Sequence, residues 1–216
     1  MRSDISTKVS LTVVAAFMTL LLALLAIVGK NSLDFAKAQA VSQQEASLRV
    51  AWDAVGGSDA VFVRDGDKLT AGSKVLNGDI ATVDHVKDLV GGTMTIFLGD
   101  TRIATNVQKP DGSRGLGTTL AKGPVHDAVL DRGESYRGEA KVLGKPYFAA
   151  YDPIKDASGQ VIGILYVGVA KADYFQPVYR QLIWLAVAGA VLAALGVAAS
   201  VTVVRRQLSP LRDLRE

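Results

Sequence analysis

The sequence predicts an α+β domain held between two membrane helices, and three observations carry that prediction. Two long apolar runs without a single charge lie near the two ends of the chain. A helical-period stretch free of proline and glycine follows the first run. Short strand-like runs separated by tight-turn signals fill the interval up to the second.

The first run is "VSLTVVAAFMTLLLALLAIV", residues 9–28, and the second is "LIWLAVAGAVLAALGVAASVTVV", residues 182–204. At about 1.5 Å per residue, each is long enough to cross a hydrocarbon layer of roughly 30 Å. The first run exceeds the length of a signal-peptide core, and the small-x-small site Ala38-Gln39-Ala40 lies well beyond it, past Lys30, Asp34 and Lys37. An uncleaved anchor is therefore expected. Arg2 and Lys8 precede the first run, while Arg205, Arg206, Arg212 and Arg215 follow the second, which places both termini in the cytoplasm. The expected partition is a cytoplasmic tail over 1–8, a membrane helix over 9–29, an extracytoplasmic domain over 30–181, a second membrane helix over 182–204, and a linker from 205 to 216. In the second helix, Gly189, Ala193 and Gly196 put small residues on neighbouring turns, which suits close helix approach in a homodimer. Tyr179 and Trp184 fit an aromatic belt at the outer interface.

Charge follows the same partition. Residues 31–180 hold 17 basic and 18 acidic side chains, so the +3 of the whole chain belongs to the membrane flanks. No nucleic-acid partner is implied. Cysteine is absent, which removes disulfides, thiolate nucleophiles and cysteine metal sites.

Within the domain, Leu33, Val41, Leu48, Trp52 and Val55 recur at near-helical spacing, and Gly56-Gly57 ends the helix. The first membrane helix is expected to run straight into it. Asp65-Gly66 between two short apolar runs signals a hairpin. A strand over 93–98, a turn at Gly99-Asp100 and a strand through about Thr105 form the next one. Pro124 and Gly133 bracket a short helix in "GPVHDAVLDRG". The segments "ESYRGEAKVLG", "KPYFAAYDPI" and "QVIGILYVGVAK" read as three successive strands, with turns at Leu143-Gly144 and over 156–159. Strands joined by short turns favour an antiparallel sheet.

The stretch "GGTMTIFLGDTRIATNV" and the later "YDPIKDASGQVIGILYVGV" resemble the single Cache sensor domains of methyl-accepting chemotaxis proteins and related bacterial receptors, with remote similarity to citrate and C4-dicarboxylate sensor kinases. The resemblance covers about residues 31–180. It implies a PAS-like five-stranded antiparallel sheet, a long N-terminal helix and a ligand pocket on one sheet face. "RRQLSPLRDLRE" resembles the opening of a HAMP linker helix, with Pro210 where that linker carries a proline, and the cytoplasmic signalling module is expected to be absent from this chain.

In the related sensors, an arginine in the hairpin strand and a small polar residue just after it contact the ligand carboxylate. Arg102 matches the first and Thr105 approximately the second. A guanidinium is a planar, permanently charged fork suited to carboxylate; the other reading of Arg102 is an exposed strand residue paired to Asp100 or Asp111. Arg114, in "DGSRGLGTT", either closes the pocket or supports the loop. Tyr147 and Tyr151 lie four apart in one strand and face the same side of the sheet, as pocket wall or as core. Lys145 stands near the place of a second cation in the dicarboxylate sensors, with a loop that differs in length by about one residue.

"GSRGLGTT" imitates a phosphate loop from Gly112 to Gly117, but Thr118 stands where that loop needs lysine. His85 and His126 belong to no His-x-x-x-His or Glu-x-x-His pattern, so neither a metal nor a cofactor is expected. No nucleophile motif supports an enzyme. The expected role is a chemoreceptor-type sensor in the bacterial inner membrane, with its sensing domain periplasmic or extracellular, that binds a small organic acid and signals through the second membrane helix. The rival is the sensor region of a histidine kinase or other receptor that recognises a periplasmic protein partner.

Overall fold

The computed structural model describes residues 2–57 and 59–208. Two units emerge, one formed by the chain up to Ala36 and from Gln176 onward, the other by Lys37–Phe175.

In the first unit, two helices carry the apolar runs. Helix α1 spans Arg2–Val55, and the C-terminal helix, α4, spans Lys171–Leu208. Both are long and apolar enough to cross a membrane, over Ala15–Val55 and Lys171–Gly196. Of the three small residues singled out in the second run, Gly189 faces Leu21 and Ala193 is buried, whereas Gly196 meets open space. Residues 209–216, with Pro210 and most of the HAMP-like segment, lie outside the described residues.

The second unit is built on a five-stranded antiparallel sheet. Its strands are β4 (Thr93–Leu98), β5 (Thr101–Thr105), β6 (Tyr136–Val142), β7 (Lys145–Lys155) and β8 (Val161–Ala170), in the spatial order β5-β4-β8-β7-β6. A smaller meander, β1 (Phe62–Asp65), β2 (Lys68–Ala71) and β3 (Lys74–Val75), precedes it. The first hairpin closes over Gly66-Asp67, one residue later than the Asp65-Gly66 signal, because Asp65 pairs directly with Lys68. The turn at Leu143-Gly144 closes β6 on β7, with Leu143 at φ 46°. A leucine in that left-handed region is strained by roughly 1–2 kcal/mol, and its side chain compensates by packing over Gly115.

Strand alternation sorts side chains into two cores. On one face, Met94, Ile96, Ala104, Ala150, Ile154, Leu165 and Val167 pack against Leu48, Ala51 and Val55 of α1, against the meander, and against Val83 and Val86. The last two belong to helix α2 (Ile80–Val90), which the periodicity of the chain did not reveal. Its ends do carry cap signals: Asp79 accepts a bond from the Thr82 amide at 3.1 Å, and Gly91 adopts φ 72° with its amide on the Lys87 carbonyl. On the opposite face, Phe97, Tyr147, Ala149, Tyr151, Ile164 and Tyr166 are covered by Val107 and Leu120 of a long loop and by Ala128 and Val129. The last pair lies in the segment that opens as α3 (Pro124–His126) and widens into a π-helical stretch, Asp127–Asp131. The short helix read from Pro124 and Gly133 is thus real but mostly not α-helical.

A polar junction ties β7 to α1. The Asp152 carboxylate accepts from Trp52 Nε1 at 2.8 Å and Ser135 Oγ at 2.6 Å, and it pairs with Arg137 Nη2 at 2.8 Å. Arg137 also reaches Glu45 Oε2 at 2.5 Å and the Tyr151 carbonyl at 3.0 Å.

Strand β8 runs so close to β4 that a Cβ at Gly163 would collide with the Phe97 carbonyl, a backbone atom that cannot step aside. Gly163→Ala is expected to cost about 2 kcal/mol through overpacking. That is a fall of roughly 4–8 °C in Tm, measurable by circular dichroism on the full chain in detergent.

Candidate functional site

The loop-covered face of the sheet gathers most of the residues the sequence pointed to. Its strand register sets them out in rows. Thr105, Thr95, Tyr166, Tyr151 and Tyr136 lie side by side across five strands. One row along, Arg102, Phe97, Ile164 and Pro153 align. On the other side, Thr93, Gly168, Ala149 and Gly138 form a furrow of small side chains. Tyr166 leans over this furrow: its hydroxyl is 3.1 Å from Thr93 Oγ1 and occupies the space a Cβ at Gly168 would need.

A bulge puts Arg102 and Thr105 on the same face. Three residues apart in a regular strand, they would point to opposite sides. The register shifts between Ile96 and Phe97, so that Arg102 pairs with Phe97 and Ala104 with Ile96, leaving Ile103 as the extra residue.

Arg102 is only 4% exposed. Its Nη1 donates to Thr118 Oγ1 at 2.9 Å and to the Thr119 carbonyl at 3.3 Å, and its guanidinium carbon lies 4.9 Å from the centroid of the Phe97 ring. Its Nε is buried and has no hydrogen-bond partner. Among the described residues no carboxylate pairs with it, and the alternative partners are otherwise occupied: Asp100 accepts from Thr101, and Asp111 from Ser113. The reading of Arg102 as an exposed strand residue paired to one of those acids is therefore overturned. Burial pushes the guanidinium below its ordinary pKa, with Tyr151 and Tyr166 close enough to oppose that shift. The same burial raises both tyrosines, Tyr166 well above its ordinary value. A guanidinium is not deprotonated in proteins, so the site presents one fixed positive charge framed by hydroxyls.

Thr105 is fully buried and has its bonds filled by the hairpin. Its hydroxyl is 2.6 Å from Thr95 Oγ1 and accepts from the Val107 amide at 3.1 Å. Arg114 reaches away from the sheet face: Nη1 and Nη2 grip Asp84 at 2.9 and 2.7 Å, and Nη1 also bonds the Thr105 carbonyl at 3.1 Å. It pins the covering loop to α2. The same loop is hydrogen-bonded along the free edge of β5, through Arg102 N to Thr118 O, Gly117 N to Arg102 O, and Leu120 N to Asp100 O.

Tyr151 and Tyr147 both face this side, as their spacing required, and both are buried. Tyr151 packs on Tyr166 with ring centroids 4.7 Å apart. Lys145 is exposed and stands apart from Arg102. It lines a cleft of about 290 Å³ at the end of the furrow, with Thr93, Tyr147, Gly168, Lys87 and Asp173. The structure thus draws Arg102, Thr105, Tyr147 and Tyr151 onto one sheet face, gives Lys145 to the cleft at its rim, and gives Arg114 to the loop anchor.

Thr95, Phe97, Thr118 and Tyr166 belong to the site and escaped the sequence reading. Phe97, Thr95 and Tyr166 are signalled only by alternation, once the facing strand is known. Thr118 and Asp84 carry no local signal, since their partners lie 16 and 30 residues away.

A family described as "Single cache domain 3" matches residues 74–181, half of the chain. No curated protein matches the sequence. Among solved structures, the E. coli DcuS sensor domain is similar at 12% identity, with 68% of this chain and 98% of that one covered and a TM-score of 0.40. The ligand-binding domain of the Campylobacter jejuni chemoreceptor Tlp3, solved in complex with L-valine, is 13% identical, with 78% of this chain and 64% of that one covered and a TM-score of 0.36.

The Asp84–Arg114 pair makes the covering loop sensitive to acid. Its hydrogen bonds to Arg114, the largest cause, hold the Asp84 carboxyl below its ordinary range. The stabilisation is present above about pH 4 and is lost as pH falls through the lowered value. Because the pair is part-exposed, it contributes on the order of 0.2–1 kcal/mol. Hydrogen exchange of the segment 107–119, corrected for intrinsic rates, is expected to hold steady from pH 7 to 5 and to rise below about pH 4. Asp84→Asn is expected to show the faster exchange from pH 7 to 5 and to converge with the parent protein as pH falls through the lowered value.

Proposed function

The chain belongs to the single Cache domain 3 family, and on that premise we propose that it is a transmembrane receptor of the chemotaxis type that binds a small organic anion outside the cytoplasm. One observation carries the choice of ligand: a buried guanidinium with an unpartnered Nε and no counter-charge among the described residues. An unpaired buried charge is costly, and a carboxylate bound across Arg102 would supply both the missing charge and the missing acceptor. Tyr151 and Tyr166, the two tyrosines close enough to act on Arg102, offer hydroxyls for the remaining oxygens.

The covering loop closes this face, so an anion enters when the segment 106–123 lifts from the β5 edge and Tyr166 leaves the furrow. On this reading Arg102 is the anchor, Tyr147 and Tyr151 are walls, Lys145 attracts anions at the rim, and Arg114 governs the loop. Helices α1 and α4 are the two membrane anchors, and residues 205–216 begin a HAMP-type linker. The receptor works as a homodimer and performs no catalysis. Strand β8 leads directly into α4, which gives a displaced Tyr166 a short route to the membrane helix. The ligand drives that change only through its difference in affinity between the two arrangements.

Thermal melting of the full chain in detergent, against a panel of small carboxylic acids, amines and sugars, tests this function. An acid at 100 times its Kd adds about 2.7 kcal/mol, or roughly 5–10 °C. Arg102→Met is expected to abolish that shift without lowering the Tm of the unliganded protein, because methionine fills the space and removes the unpaired charge. A shift with an amine or sugar alone would overturn the anion reading. Loss of stability in Arg102→Met with the acid shift retained would make Arg102 structural.

A further inference from the structure

Beyond the Arg102 face, the π-helical stretch brings together three side chains of metal-binding chemistry. His126 Nδ1 lies 3.4 Å from Asp131 Oδ2 and 3.8 Å from Asp127 Oδ1, and one ligand atom from each residue falls within 4.8 Å of the others. The local backbone produces this meeting. In an α-helix, residues five apart are turned about 140° from one another. Here the turn widens to i→i+5 bonding, with the Arg132 amide on the Asp127 carbonyl at 3.1 Å, and positions 126 and 131 come to one side. Single π-turns of this kind recur at functional sites.

A second observation separates this group from an ordinary exposed acidic cluster. His126 Nδ1 is itself buried and has no hydrogen-bond partner, although a carboxylate oxygen stands 3.4 Å away. At 3.4 Å the separation is longer than an ordinary N–H···O hydrogen bond. It suits two donors on one ion: ligands at about 2.0–2.1 Å from a tetrahedral centre are about 3.3–3.4 Å apart. The two carboxylates are more than half exposed and free to adjust to the third position.

We propose that His126, Asp127 and Asp131 form a binding site for a divalent transition-metal ion of the Zn²⁺ class. One imidazole and two carboxylates are a nitrogen-and-oxygen donor set suited to Zn²⁺, Co²⁺ or Ni²⁺ and unsuited to soft ions that need thiolate. Three protein ligands leave a fourth position for water. Ala128 and Val129, between the ligands, are packed into the core over the loop-covered sheet face, so a bound ion would clamp the segment that closes it. This site stands independently of the anion reading of Arg102, and its test uses neither an organic ligand nor a signalling output.

The test is metal titration of the full chain in detergent, freed of any polyhistidine tag and stripped with a chelator. Calorimetry with ZnCl₂ is expected to show one site per chain with Kd in the micromolar range or tighter. Co²⁺ is expected to give the visible absorption of a four-coordinate ion. His126→Ala and the exposed double variant Asp127→Asn with Asp131→Asn should each weaken Zn²⁺ at least roughly tenfold, since even outer-shell partners matter that much. His85→Ala should change nothing. Absence of Zn²⁺ binding below millimolar concentration would overturn the proposal, as would unchanged affinity in the folded Asp127→Asn/Asp131→Asn protein.

Discussion

The guanidinium of Arg102, buried without a counter-charge among the described residues, is the constraint around which one half of the domain is arranged. It needs a bulge to reach its face, an aromatic ring to lie against, and a loop to cover it. Ile103 provides the first, Phe97 the second, and residues 106–123 the third. The loop answers the arginine with oxygens alone, from Thr118 and Thr119, which satisfy part of the fork and none of its charge. The other half of the domain obeys simpler physics. There the sheet is packed on α1, α2 and the small meander through an apolar core with few polar insertions.

Much of this architecture was legible in the chain. Short strand-like runs located β4 through β8, and glycine-bearing turns marked most of their connections, because each of those signals is local. Arg102 stood out through the resemblance to related sensors, in which an arginine of the hairpin strand contacts a carboxylate. Other features had no local signature. The bulge at Ile103 depends on pairing with β4, and period two by itself would have separated Arg102 from Thr105. Helix α2 was missed although Asp79 and Gly91 cap it, since its eleven residues bury only Thr82, Val83 and Val86 and show a weak stripe. The grip of Arg114 on Asp84 crosses 30 residues, and the meeting of His126 with Asp131 requires a π-turn that no sequence spacing announces.

The cation-bearing residues have divided their tasks by exposure. Arg102 is interior and has no carboxylate partner among the described residues, Arg114 is superficial and paired, and Lys145 is open at a cleft. A planar fork in a closed environment discriminates by shape and charge, whereas a solvated ammonium mainly concentrates anions nearby. Arg137 does a different job. It binds Asp152, Glu45 and the Tyr151 carbonyl together, so the strand that carries the tyrosine wall is fastened to the N-terminal helix by charge-assisted bonds.

That junction also has an optical side. Trp52 is one of two tryptophans in the protein, and the other, Trp184, lies in the apolar run of α4. The indole N–H of Trp52 rests on a carboxylate whose next neighbour in the chain is Tyr151. An excited indole is sensitive to the field of a nearby negative charge, so the emission of Trp52 is coupled to the position of β7. The domain therefore contains a built-in fluorophore at the seam between its tyrosine-lined strand and its first helix, and its conformational changes are open to spectroscopy without an added label.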